Sequence, residues 1–143
     1  MRLVLPLVVL FVGCGRMGLE YAEENTADLA FEPEAGWDFG ELLPEYEASV
    51  HNFSLQSVEE DRGAYVEDAW LEGDTGAFLV VRQPEVPAVI EPGRHVSMVV
   101  RFKPVESGSF EAQLKAVDGN GTRYRRQLTG QGCRNDDDNR RCD

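Results

Sequence analysis

Three cysteines, two histidines and one run of carboxylates are the residues of this 143-residue chain whose types and spacing could do chemistry. A thiol can take a disulfide, a lipid or a metal. Cys133 and Cys142 lie close together near the C-terminus and make an even pair once Cys14 is set aside. In an oxidising compartment such a pair suits a disulfide that closes a short loop, with free or intermolecular thiols as the alternative. His51 and His95 fall short of a metal cluster, which wants several ligands at defined spacing. Each reads as a surface residue on a strand. Asp136, Asp137 and Asp138 sit between two asparagines and offer the hard oxygen ligands that Ca²⁺ takes. They lack the Gly and the distal Glu of an EF-hand loop, so they are weak metal candidates beside the plainer reading of a solvated tail. No nucleophile elbow and no phosphate-cradling Gly-rich loop is present. The expectation is a non-enzyme without a cofactor.

Cys14 has a different setting. Met1-Arg2 carries one positive charge, and the ten residues Leu3 to Val12 are apolar. That run is too short to span a bilayer, which takes about 20 residues, and it fits the core of an export signal. Phe11-Val12-Gly13-Cys14 resembles the lipobox of bacterial lipoproteins, with Phe11 standing where that motif usually has Leu. The resemblance implies removal of residues 1–13 and lipidation of Cys14, which becomes the mature N-terminus. An ordinary cleaved signal with a chance cysteine, or a buried first strand, are the alternatives. Gly15 is not the Asp that retains some lipoproteins at the inner membrane, so the reading leans to the outer membrane or the cell surface. Residues 14–27 then form the lipidated Cys and a polar tether.

Charge narrows the partners. The chain carries −12 overall. Between Glu20 and Asp74 stand seventeen acidic residues and one basic residue, a net of −16, whereas Thr75 to Gly130 holds five acidic and eight basic residues, a net of +3. Nucleic acid needs clustered cations for its phosphates, so it is excluded as a partner. Electrostatic docking on anionic lipid is disfavoured for the same reason, leaving the lipid anchor as the membrane contact. The acidic half is either a solvated face or a surface that attracts cations or a basic partner.

The elements that must position any site are strands. In His95 to Phe102, Val96, Met98, Val100 and Phe102 alternate with polar or small neighbours. Phe110, Ala112, Leu114 and Ala116 do the same. A strand has a side-chain period of two, so each run buries one face. Asp118-Gly119-Asn120-Gly121 between two such runs signals a hairpin. Ala77 to Val81 is a short apolar strand, and Pro92-Gly93 suits a tight turn. Leu29 and Phe31, then Trp37 and Phe39, predict two short edge segments. Tyr46 to Leu55 predicts a strand with Ala48, Val50 and Phe53 inward, and Tyr65 to Leu71 predicts another. Trp37, Phe39, Trp70, Phe78 and Phe102 are the expected core. Short strands with frequent turns point to an all-β antiparallel sandwich over residues 28–132, followed by a polar, irregular tail at 133–143.

Three motifs then resemble a known family. Trp37-Asp38-Phe39-Gly40-Glu41-Leu42, Ile90-Glu91-Pro92-Gly93 with Val100-Arg101-Phe102-Lys103-Pro104, and Leu128-Thr129-Gly130-Gln131-Gly132 are similar, in order and spacing, to motifs of choice-of-anchor D and ASH (Hydin-like) domains. The residues that carry the likeness are Asp38, Phe39, Gly40, Pro92, Gly93, Phe102, Pro104, Gly130 and Gly132. The acidic stretch Ser57 to Gly63 departs from the family's usual Asn-x-Gly turn. The resemblance implies an immunoglobulin-like sandwich of about seven strands, similar to the major sperm protein fold. It also implies a binding or scaffolding role toward an envelope or extracellular protein or glycan. A cation-binding surface protein that uses the acidic half and the tail is the alternative.

Overall fold

In the computed structural model, which describes residues 27–136 and 139–141, the alternating runs pack as two sheets. The strands are β1 (Leu29–Glu32), β2 (Trp37–Leu42), β3 (Ser49–Ser57), β4 (Ala64–Gly73), β5 (Phe78–Arg82), β6 (Ala88–Ile90), β7 (His95–Phe102), β8 (Gly108–Asp118) and β9 (Arg123–Gly132). A four-stranded sheet runs β1-β3-β7-β5 and a five-stranded sheet runs β2-β9-β8-β4-β6. No helix forms among the described residues. The all-β immunoglobulin-like sandwich stands, with nine strands where about seven are expected. One pairing departs from the antiparallel expectation: β2 runs parallel to β9. The first strand breaks after Glu32, and the chain crosses to the edge of the other sheet, where β2 pairs parallel instead of antiparallel.

Large meets small across the interior. The four-stranded sheet points Phe31, Phe53, Leu55, Phe78, Met98, Val100 and Phe102 inward. The five-stranded sheet answers with Ala64, Ala69, Ala112, Ala116 and Gly130 beside Phe39, Val66, Leu114 and Leu128. This complementarity lets aromatic rings sink to native packing density. Phe78 and Phe102 lie 4.8 Å apart between ring centres, with Phe39 5.7 Å and Phe110 5.9 Å from Phe102. Such offset and tilted arrangements are the favoured aromatic geometries.

The motif residues do structural work. Asp38 accepts a hydrogen bond from the Gly40 N–H at 2.9 Å, and Gly40 takes φ +78° where the β2–β9 register shifts. Pro92-Gly93 forms the centre of a turn closed by the Arg94 N–H on the Glu91 carbonyl at 2.9 Å, with φ +74° at Gly93 as a type II turn requires. Gly130 lies under the Phe102 ring and Gly132 under the Glu106 carbonyl, so neither has room for a Cβ. Pro104 is fully buried. In the divergent loop after β3, the Ser57 hydroxyl donates to the Arg62 carbonyl at 2.7 Å and Arg62 pairs with Glu59, so the loop closes on itself.

Three expectations need correction. Val50 is 57% exposed and Ala48 is exposed too. The inward set of β3 is His51, Phe53 and Leu55, and the register places Phe53 opposite Met98. Polar Asn52 and Ser54 occupy the other parity, so the core accepts the phase with more apolar surface. Residues 134–136 and 139–141, expected to be irregular, pair as a ribbon, β10 (Arg134–Asp136) with β11 (Asn139–Arg141). Finally, neither tryptophan is part of the buried core, as the next section describes. The signal, Cys14 and the tether up to residue 26 lie outside the described residues, as do Asp137, Asp138 and Cys142.

Candidate binding faces

The hairpin between β8 and β9 holds a buried polar centre. Asp118 is 1% exposed. Its carboxylate accepts from the Asn120 and Thr122 N–H groups, each at 2.9 Å, and from the Tyr124 hydroxyl at 2.8 Å. The Tyr124 oxygen in turn accepts from the Leu29 N–H at 3.3 Å, which ties the hairpin to the other sheet. Burial pushes the Tyr124 phenol up to about 12, and the bond to Asp118 acts in the same direction. This centre uses its donors and acceptors internally, so it is a fastening of the fold.

Trp37 closes the open side between the sheets. It starts edge strand β2, is 39% exposed, and stacks on His51 of the other sheet with ring centres 3.5 Å apart and planes 15° from parallel. His51 also meets Phe53 edge-on at 4.8 Å. It is therefore no free surface histidine, and burial holds its pKa below the usual value. His95 is exposed at the start of β7, as alternation predicts.

A bulge decides the place of Trp70. Val66 points inward on β4, and strict alternation would bring Glu67 out, Asp68 in and Trp70 in. The β4–β8 register shifts between Val66 and Asp68. Glu67 and Asp68 both turn outward, Ala69 turns into the core, and Trp70 is left half-buried on the outer face. Re-aiming one side chain is a known consequence of an extra residue in a strand. There Trp70 stands in register with Lys115 of β8, and Lys115 with Arg125 of β9. Trp70, Lys115, Arg123, Tyr124 and Arg125 line a depression of about 450 Å³. Lys115 pairs with Glu72 at its rim, and this contact holds the Glu72 carboxyl below its usual range.

The outer face of the four-stranded sheet is different in kind. Val50, Arg101 and Leu79 stand in one row across β3, β7 and β5. Leu79 is 49% exposed and the neighbouring Val81, at a second register shift, 47%. Partly exposed Val99 continues the strip. Exposed apolar side chains grouped in this way, here on either side of Arg101, mark contact sites on soluble domains.

Cys133 follows β9 directly. It is 1% exposed, its N–H donates to the Leu42 carbonyl at 2.9 Å, and its sulfur is disulfide-bonded. The sequence places it in the tail, yet it packs with the sandwich. Among the described residues, no group of three or more His, Cys, Asp or Glu side chains converges as a metal site requires. Asp136 contributes its backbone to β10.

No family model and no curated protein matches the chain. Its likeness is to solved structures. A secreted serine protease, VesC from Vibrio cholerae, superposes with a TM-score of 0.56 at 10% identity, over 82% of this chain and 25% of that one. The chain thus spans a quarter of the length of that protein. The ASH/PapD-like domain 7 of human CEP192 superposes with a TM-score of 0.51 at 12% identity, over 95% of this chain and 100% of that domain. At such identities these likenesses show the fold: an immunoglobulin-like sandwich of the ASH/PapD-like kind.

Proposed function

We propose that this chain is a lipid-anchored, non-catalytic binding module of the bacterial cell envelope, held by Cys14 and presenting its sandwich to a protein partner. One observation carries the binding reading: the apolar strip of Val50, Leu79, Val81 and Val99 on the outside of a sheet whose core is already complete on its other face. Those side chains are left partly in water after folding, and removal of the rest awaits a second surface. An apolar strip fits a protein surface better than a polar glycan. The buried, disulfide-bonded Cys133 supports export to an oxidising compartment. The short apolar leader ending at Gly13-Cys14 supports the anchor.

The test expresses the full chain in a bacterial host fed a labelled fatty acid, beside Cys14→Ala, with a photo-crosslinker replacing Leu79. Label on the wild-type protein and none on the variant is expected, with a discrete crosslinked protein adduct in envelope fractions. Export and cleavage without label would refute the anchor. A crosslinker at Leu79 that yields only unmodified monomer would refute the strip as a contact.

A further inference from the structure

The outer face of the five-stranded sheet holds a second surface, independent of the apolar strip. Lys115 and Arg125 are directly opposite one another on β8 and β9, and Arg123 lies on the same face one alternation away. Like charges opposite each other destabilise a sheet pair. In a chain with 26 acidic residues, ample carboxylate is at hand to neutralise such a row. Among the described residues only Glu72 does so, at Lys115. Arg123 and Arg125 are exposed, and among the described residues neither guanidinium is engaged by a hydrogen bond or ion pair. The bulge at Glu67-Asp68 turns Trp70 out beside these cations, where an unbulged strand would have buried it. Two departures from a stable sheet thus meet in one depression, and each serves an incoming ligand better than the fold.

We propose that this face, with Trp70, Lys115, Arg123 and Arg125 as its contacts, binds an extended acidic peptide segment of a partner protein. The spacing carries the choice. Residues two apart on a strand are separated by about 6.6 Å. Carboxylates on alternate residues of an extended peptide share that period, so successive acidic side chains reach Arg123 and Arg125 in turn. Each guanidinium offers a planar fork that a carboxylate meets with two hydrogen bonds. The indole of Trp70, in the same row as Arg125 with Lys115 between them, takes an apolar side chain of the same peptide.

The experiment titrates a labelled Glu-Ser repeat peptide carrying one Leu into the ¹⁵N-labelled full chain, lipidated and held in detergent. The Gln-Ser counterpart and an oligogalacturonate serve as comparators. The expected result is saturable binding of the acidic peptide with shifts at the Trp70 indole N–H, weakened by salt. The exposed pair Arg123→Glu/Arg125→Glu should cut affinity by about tenfold or more, two exposed ion pairs being involved. Its melting temperature should match or exceed wild type, because the change at Arg125 removes the like-charge pairing with Lys115, and this separates lost binding from lost folding. Equal binding by wild type and that variant would overturn the inference, as would tighter binding of the oligogalacturonate or no binding of the acidic peptide. Persistence of the Leu79 crosslink in the arginine variant would then show that the apolar strip stands although this face does not.

Discussion

Replacing Gly130 with alanine tests the packing argument most directly. Gly130 does not occupy the left-handed region, so alanine brings no backbone strain and the whole effect is steric. An ideal Cβ there would lie 2.4, 2.5 and 2.8 Å from three atoms of the Phe102 ring. Ordinary carbon contacts are about 3.5–4.0 Å, so the ring must retreat by roughly 1 Å. It has nowhere to go. Phe102 is fully buried, with Phe78, Phe39 and Phe110 around it. Overpacking of this kind costs about 1–3 kcal/mol. For a domain of this size that is a fall in melting temperature of about 5–15 °C. Circular dichroism melts of wild type and Gly130→Ala measure it. Shortening the opposing ring relieves the clash, so Gly130→Ala/Phe102→Leu should lose less than the sum of its single variants, with a coupling of about 1 kcal/mol. A Gly130→Ala protein within 0.5 °C of wild type, or strict additivity in the double variant, would refute the reasoning.

Asp118→Ala should lower stability by about 3 kcal/mol in chemical denaturation, because it strands two N–H donors and the Tyr124 hydroxyl in a buried site. An effect below about 0.5 kcal/mol would contradict that account of the hairpin. The folded-state pKa of Tyr124, about 12, lies above its unfolded value of about 10. Its contribution is therefore complete below pH 10 and is lost as pH rises toward 12. The gap in melting temperature between wild type and Tyr124→Phe should narrow over that window. His51 shows the opposite sign: its lowered pKa favours the neutral form in the folded state, so stability falls as pH drops below about 6.5. The loss on going from pH 7.5 to 5 should be smaller in His51→Gln, and identical losses would count against the stacked, desolvated imidazole.

Much of the fold was legible because a strand's alternation is a local property. Met98, Val100 and Phe102, or Ala112, Leu114 and Ala116, declare their inward face within a few residues, and Asp118 to Gly121 declares the hairpin between them. The order of three short motifs was enough to suggest the immunoglobulin-like sandwich. Three things were not legible, and all depend on how strands pair. Trp70 belongs to the alternation of its own strand, yet a bulge defined only against β8 turns it outward. Lys115 and Arg125 become opposite neighbours through the β8–β9 register, which the conformation of the turn sets and the alternation of either strand does not. His51 looks solvated among polar neighbours, but a tryptophan from the other sheet covers it. The sequence by itself therefore determined which residues form strands and most of the core, because hydrophobic periodicity is written along the chain. The tertiary structure alone decided which side chains remain outside and meet there, because register, bulges and sheet crossing are set by contacts between strands.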